Sequence, residues 1–327
     1  IRVDSYGQKV MRVVPRLNED INEEWISDKT RFASDGLGYQ RLDRPYLKKN
    51  GKLSPVSWEE ALEVVASKLK STDSSKIAAL AGDLCDAESM FALKGLMKKL
   101  DVENLDCRLD GAYANPDVRE SYVFNTSIAG IEDADACLMV GGHTRYDASL
   151  INARLRKSYL ESGLKAWRIG GTYGAAMEQT FPVDELGADL SVLEDILSGK
   201  HPVAKQLKSA QRPMLILSTE ALSRNDGASV LEICQQIAVK YGLIQDDFVG
   251  FNVLQTAASR VAGLDMKFVP GKSGLGTGGI LKAVENGDVK VLYLLNADSP
   301  EIVTAVEKSK GSAFVIYQGH HGDVGAH

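Results

Sequence analysis

The sequence predicts a doubly wound α/β fold with mostly parallel sheets, preceded by a small β-rich amino-terminal subdomain. Six short apolar runs carry the prediction: Ile77–Ala81, Ala136–Val140, Ala166–Ile169, Met214–Leu217, Lys290–Leu295 and Ala313–Tyr317. Their length and unbroken hydrophobicity suit strands buried on both faces. Helical patterns lie between most of them, at Ala87–Leu100, Ala148–Leu160, Ala221–Tyr241 and Gly279–Glu285. Short strands alternating with helices make βαβ units and hence a parallel sheet. The 327 residues leave room for about two domains, or one large one.

Taken in order, Ile1–Val14 alternates apolar and polar residues about Gly7, which predicts a hairpin. A lone hairpin is marginal in water, so this one is expected to pack on something. Asn18 to Lys29 predicts a helix, with Asn18 as cap and Glu19, Asp20, Glu23 and Glu24 at its start. Ile21, Trp25 and Ile26 would share one side. Arg41–Pro45 followed by Asn50-Gly51 reads as a linker ending in a turn. Ser57-Trp58-Glu59-Glu60 forms a capping box, the hydroxyl on the Glu60 amide and the carboxylate reaching back. Ala61, Leu62, Val65 and Leu69 continue that helix. Residues 1–53 are thus expected to form a small subdomain of hairpin, helix and linker, and residues 54–327 the α/β region.

The 38 basic and 44 acidic residues leave a net charge of −6. That excludes a nucleic-acid binder working by bulk phosphate attraction and a polybasic membrane-surface protein. No apolar run approaches the roughly 20 residues that span a bilayer, so direct membrane insertion is not expected. The four cysteines, Cys85, Cys107, Cys137 and Cys234, form no C-x-x-C pair and no disulfide framework, which points to a reducing compartment. A chain that starts at Ile1 and stops within Asp323–His327 reads as a piece of a longer one.

Several motifs invite chemistry. Gly274-Leu275-Gly276-Thr277-Gly278-Gly279 satisfies G-x-G-x-x-G ahead of a helix, with Asp298 22 residues after Gly276. Glycines in that pattern let a pyrophosphate approach a helix amino terminus. The strand before it would have to be Met266–Val269, separated by Pro270–Ser273; the competing expectation is a flexible surface loop. The terminal segment holds His320, His321, Asp323 and His327, residue types that ligate zinc or iron, but on a loop rather than a helix face. The group Glu19–Glu24 offers paired carboxylates or a solvated, partner-facing turn. His143 stands at a strand end, as a general base or a structural contact. Two loops follow strands in the same manner, Gly141-Gly142-His143-Thr144 and Asn296-Ala297-Asp298-Ser299-Pro300, a faint internal repeat placed where open α/β sheets bind ligands.

The stretch Val10–Phe32 (VMRVVPRLNEDINEEWISDKTRF) closely resembles the large iron–sulfur subunit, of the G type, of proton-pumping NADH:quinone oxidoreductase, respiratory complex I. Matching stretches recur at Asn125–Ile131, Arg224–Ala228 and Tyr317–Ala326, so the resemblance runs from end to end. It implies a molybdopterin-oxidoreductase-type α/β region behind a cluster-type subdomain. In such subunits the 4Fe–4S and 2Fe–2S clusters sit in an amino-terminal half. The resemblance also implies other peripheral-arm subunits as partners, and a place on the cytoplasmic side of a bacterial inner membrane or the matrix side of a mitochondrial one.

Departures from the catalytic members are expected to matter. Those relatives hold a cubane through four cysteines, the last in a Cys-x-x-Gly context near Phe32–Gly36; this chain has Ser34 there and no cysteine before Cys85. They supply a metal ligand shortly after a segment like Asp106-Cys107, where this chain continues Arg108-Leu109-Asp110-Gly111. Their pterin-contacting loops correspond to Gly141, Gly142, His143 and Thr144, and to Asn296 and Asp298, with His143-Thr144-Arg145 replacing a small/Asn/Pro signature. The expectation is a fold kept without its cofactor: no catalytic residue, no metal ligand and only vestigial pterin positions in this chain. A pterin- or nucleotide-binding domain is the alternative, and a free-standing molybdenum reductase would need cysteines the chain lacks.

Overall fold

The computed structural model describes residues 1–49, 51–170 and 179–322. The chain opens with the expected hairpin, β1 (Arg2–Tyr6) against β2 (Lys9–Val14), turning at Gly7, whose φ of +59° suits glycine. The helix expected from Asn18 to Lys29 does not form. The Asn18 carbonyl accepts the amides of Ile21, Asn22 and Glu23, while the Asn22 side-chain amide donates to the carbonyls of Arg16 and Trp25. Asparagine side chains here offer the backbone a closed turn that outcompetes helix. Only α1 (Asp28–Phe32) is helical, with the Ser27 hydroxyl accepting the Thr30 amide at 3.2 Å.

The described residues fall into two compact units that do not follow chain order: Ile1–Asp35 with Ala112–Thr256, and Gly36–Gly111 with Ala257–His327. In the first unit, β7 (Ala136–Val140), β8 (Lys165–Ile169), β9 (Asp184–Glu185), β10 (Pro213–Ser218) and β11 (Phe251–Leu254) form a parallel sheet in the order β11-β10-β7-β8-β9. Along β7, Cys137 and Met139 pack on one face with Leu155 of α5 (Ser149–Ser162). Leu138 and Val140 pack on the other with α6 (Val192–Ser198), α7 (Pro202–Ser209) and α9 (Gly227–Lys240). Two short helices, α4 (Thr144–Asp147) and α8 (Thr219–Leu222), head the loops after β7 and β10. The expected continuous helix Ala221–Tyr241 is therefore broken, between α8 and α9, where Arg224 and Asp226 pair across the turn.

The second unit begins with a hairpin, β3 (Tyr46–Lys49) and β4 (Lys52–Pro55), where the sequence suggested only a linker. The expected boundary at residue 53 falls inside β4. Next come α2 (Trp58–Ser71), β5 (Ile77–Ala81), α3 (Ala87–Lys99) and β6 (Asn104–Asp106). After the excursion through the other unit follow α10 (Arg260–Asp265), α11 (Thr277–Glu285), β12 (Val291–Leu295), α12 (Pro300–Lys308) and β13 (Phe314–Gln318). The Ser57 hydroxyl accepts the Glu60 amide at 3.1 Å, as half of the capping box; the Glu60 carboxylate pairs instead with Lys49 at 2.7 Å. The sheet is parallel, in the order β13-β12-β5-β6. Ile77, Ala79 and Ala81 pack against α3, and Ala78 and Leu80 against α11 and α12, so this sheet too is covered on both faces. No helix among the described residues is long and apolar enough to cross a membrane.

Candidate functional site

Open parallel sheets bind ligands beyond the carboxyl ends of the strands, where the strand order reverses. In the first unit the reversal lies between β7 and β10. Gly141 and Gly142 follow β7 with φ of +68° and +64°. A Cβ on Gly141 would come within 2.9 Å of the Ala221 methyl; one on Gly142 would lie 2.6 Å from the Ser218 hydroxyl. The loop is thus pressed onto the head of α8. Its amides are engaged at home: Gly142 donates to the Glu220 carboxylate at 2.8 Å and His143 to the Asp147 carboxylate at 2.6 Å. The His143 ring, 1 % exposed, meets the Tyr146 ring edge-on at 4.9 Å. The Thr144 hydroxyl donates to Asn152, which donates to Thr180.

In the second unit the reversal lies between β5 and β12. The Gly82 amide donates to the Leu295 carbonyl at 2.8 Å, and a Cβ on Gly82 would run into the Asn296 carbonyl. Asn296 itself takes a left-handed φ of +46° and donates its amide to Gln318 at 2.8 Å. The Ser259 hydroxyl and the Cys85 thiol close round this junction, donating to the Gly82 and Leu295 carbonyls. Asp298 is exposed just ahead of α12. Gly141, Gly142, His143 and Thr144 therefore belong to one unit, and Asn296 and Asp298 to the other.

The glycine run has a structural purpose that sequence reasoning missed. Met266–Val269 is not a strand; it follows α10. Gly271 and Ser273 donate to the carbonyl and carboxylate of Glu103, Leu275 to the Asn104 side chain, and Thr277 to the Asp106 carboxylate at 3.1 Å. A Cβ on Gly274 would run into the Glu103 carbonyl. The loop is laid along β6, and the glycines permit that approach.

Two buried arginines also escaped the sequence. Arg154, on the Ile151/Leu155 stripe of α5, donates to Glu132 and to the Glu19 carbonyl and lies 3.4 Å from Glu23. Lys157, one turn on, bridges Glu23 at 2.8 Å and Glu132 at 3.0 Å. Of the acidic group, Glu23 is thus committed inside its own unit. Arg260 of α10, 1 % exposed, pairs with Asp110 at 2.9 Å. The available signal was a lone arginine within an apolar helical stripe.

The cysteines do not converge. Cys137 and Cys234 lie in separate cores of the first unit, Cys85 and Cys107 in the second. Burial raises the Cys85 thiol to about 11 and the other three to about 12. Among the described residues no three His, Cys, Asp or Glu side chains gather as metal ligands. His320 and His321 face each other, Nδ1 to Nδ1, at 2.5 Å; Asp323 and His327 lie outside the described residues.

Residues 41–327 match the family model described as molybdopterin oxidoreductase. The chain belongs to that family. Residues 1–35 match a second model, the NADH-ubiquinone oxidoreductase NDSU1/NuoG-like 4Fe-4S domain. Over its whole length the chain is 43 % identical to the G subunit of NADH-quinone oxidoreductase from Rickettsia felis, covering 46 % of that protein. It is 41 % identical to the mitochondrial NADH dehydrogenase [ubiquinone] iron-sulfur protein 1 of Solanum tuberosum, covering 42 % of it. The resemblance seen in the sequence is borne out, and the chain spans a little under half the length of these relatives. Acetylene hydratase from Pelobacter acetylenicus shares the fold, with a TM-score of 0.67 at 12 % identity over 99 % of this chain and 59 % of the hydratase. The α/β molybdopterin oxidoreductase fold with its small antiparallel amino-terminal sheet is therefore as expected.

The family implies a pterin cofactor and the amino-terminal match a 4Fe–4S cluster; neither suits these residues. A cubane is held by four thiolates, and residues 1–35 contain no cysteine. The loop amides that could receive an anion at Gly142 and His143 already serve internal carboxylates.

Proposed function

We propose that this chain is a structural and interaction part of the peripheral arm of proton-pumping NADH:quinone oxidoreductase. It is electron-silent itself, and braces the cluster-bearing part and neighbouring peripheral subunits. The whole enzyme passes electrons from NADH through iron–sulfur clusters to quinone, and no step of that transfer is assigned to a residue here. The observation that supports this reading is the close packing of both strand-order reversals by each unit's own chain: Gly141 and Gly142 against Ser218 and Ala221, and Gly82 against the Asn296 carbonyl. A fold whose ligand crevices are filled by its own chain has kept its architecture as scaffold. Partners are other peripheral-arm subunits, and the location is peripheral to the membrane, on the cytoplasmic or matrix side. The test is metal analysis with visible absorption of the chain purified under anaerobic conditions. The proposal expects neither stoichiometric iron or molybdenum nor a cluster or pterin band; either would overturn it.

A further inference from the structure

The glycine run Gly274–Gly279 leads into the nine-residue helix α11, an arrangement that in nucleotide-binding proteins receives a phosphate. Here the position at the head of α11 holds a side chain. The Asp106 carboxylate, 2 % exposed, comes from the end of β6 and accepts four hydrogen bonds. Oδ1 takes the Arg108 amide at 3.0 Å and Arg108 Nε at 2.8 Å; Oδ2 takes Arg108 Nη2 and the Thr277 amide, both at 3.1 Å. A carboxylate offers about four lone-pair sites, so every one is used. The donors are those a phosphate would want: a forked guanidinium, a backbone amide and the positive end of a helix. One further donor waits at the same place. The Thr277 hydroxyl is buried and has no hydrogen-bond partner among the described residues.

We propose that Asp106 is a built-in anion that occupies an oxyanion seat made by Arg108, Thr277 and the amino terminus of α11. It thereby closes the glycine run to phosphate-bearing ligands. The seat is intact in its donors and is filled from within. Gly276 lets the carboxylate come this close, since a Cβ there would lie 3.1 Å from Asp106 Oδ2. The inference concerns the second unit alone and stands whether or not the chain serves as a scaffold in a larger enzyme.

Removing the internal charge should expose the seat. The experiment compares the wild-type chain with Asp106→Ala and Asp106→Asn in chloride buffer, adding inorganic phosphate and then pyrophosphate. Thermal melting and ³¹P resonance broadening are the readouts. At phosphate ten times its dissociation constant, mass action raises the melting temperature of D106A by about 4 °C. Wild type should show no shift, and D106N, which keeps the shape and loses the charge, a smaller one. Adding Arg108→Met to D106A should abolish the response. If D106A does not fold in chloride, recovery of its fold in millimolar phosphate supports the seat. Wild type responding as strongly as D106A overturns the proposal. So does a folded D106A and a folded D106N that both ignore phosphate, or an unfolded D106A that phosphate does not recover beside a silent D106N.

Discussion

Arg154 is the residue whose loss should most sharply report how the amino-terminal segment is held. Its guanidinium, 5 % exposed, joins three pieces of the first unit: α5, the Glu132 turn and the Asn18–Glu23 turn. Arg154→Met keeps the stem and the packing against Ile151 and Leu155. It strands the Glu19 carbonyl and leaves Glu23 and Glu132 sharing Lys157 alone. Breaking a buried ion pair costs about 3–5 kcal/mol. The two carboxylates keep roughly a quarter of their side-chain surface in water, at 21 % and 27 %. Solvent screening lowers the figure to about 2–3 kcal/mol. For a unit of this size that is a fall in melting temperature of roughly 6–9 °C. Hydrogen exchange localises the effect, because the amides of Ile21, Asn22 and Glu23 should lose protection before the β7–β10 core does. The pH profile follows from the same groups. Burial opposes the Glu132 charge, yet hydrogen bonds from Arg154 and Lys157 bring its pKa below the ordinary 4.5. Glu23 first and Glu132 next raise Lys157 to about 12. A lowered carboxylate stabilises above its unfolded value and loses that as pH falls through the folded one. A raised ammonium stabilises fully below 10.5 and loses that as pH rises through about 12. The R154M penalty should therefore be flat across neutral pH and shrink in acid. An R154M protein that melts with wild type and keeps full protection at residues 21–23 would show that Arg154 does not hold the Asn18–Glu23 turn.

Gly82→Ala drives a methyl into the Asn296 carbonyl between β5 and β12, and should cost about 3 kcal/mol or more, seen as loss of soluble protein or of a cooperative melt. Ser57→Ala removes the cap of α2 and should cost about 1 kcal/mol, near 3 °C in the melt of the second unit; an unchanged melt would contradict the cap. The four thiols, raised to about 11 or 12 by burial, should label with iodoacetamide at neutral pH only as fast as the chain opens, whereas rapid labelling of any one would contradict its burial.

The parts of the fold legible in the sequence are those whose burial is written locally. Ile77–Ala81 and Ala136–Val140 are apolar throughout because both faces of each strand are covered, and the structure places β5 and β7 on those residues. The strand β6 was hidden because Asn104 and Asp106 spend their side chains on loop amides. In β11, Asn252 interrupts the apolar run, and its side chain is matched to Thr126, 126 residues away. The Asn18–Lys29 helix failed for the opposite reason: charge and apolar spacing favoured it, but Asn18 and Asn22 hydrogen-bond their own backbone. The candidate loops could be placed at strand ends from sequence. Their closure could not, since it depends on Glu220, 78 residues from Gly142, and on Asp106, 171 residues from Thr277.

Native mass spectrometry of the anaerobically purified chain reads out whether the proposed scaffold holds a cofactor of its own. A scaffold gives the mass of the 327-residue polypeptide alone, before and after incubation with iron, sulfide and reductant. A stoichiometric increment matching an iron–sulfur cluster or a pterin would contradict the proposed scaffold role.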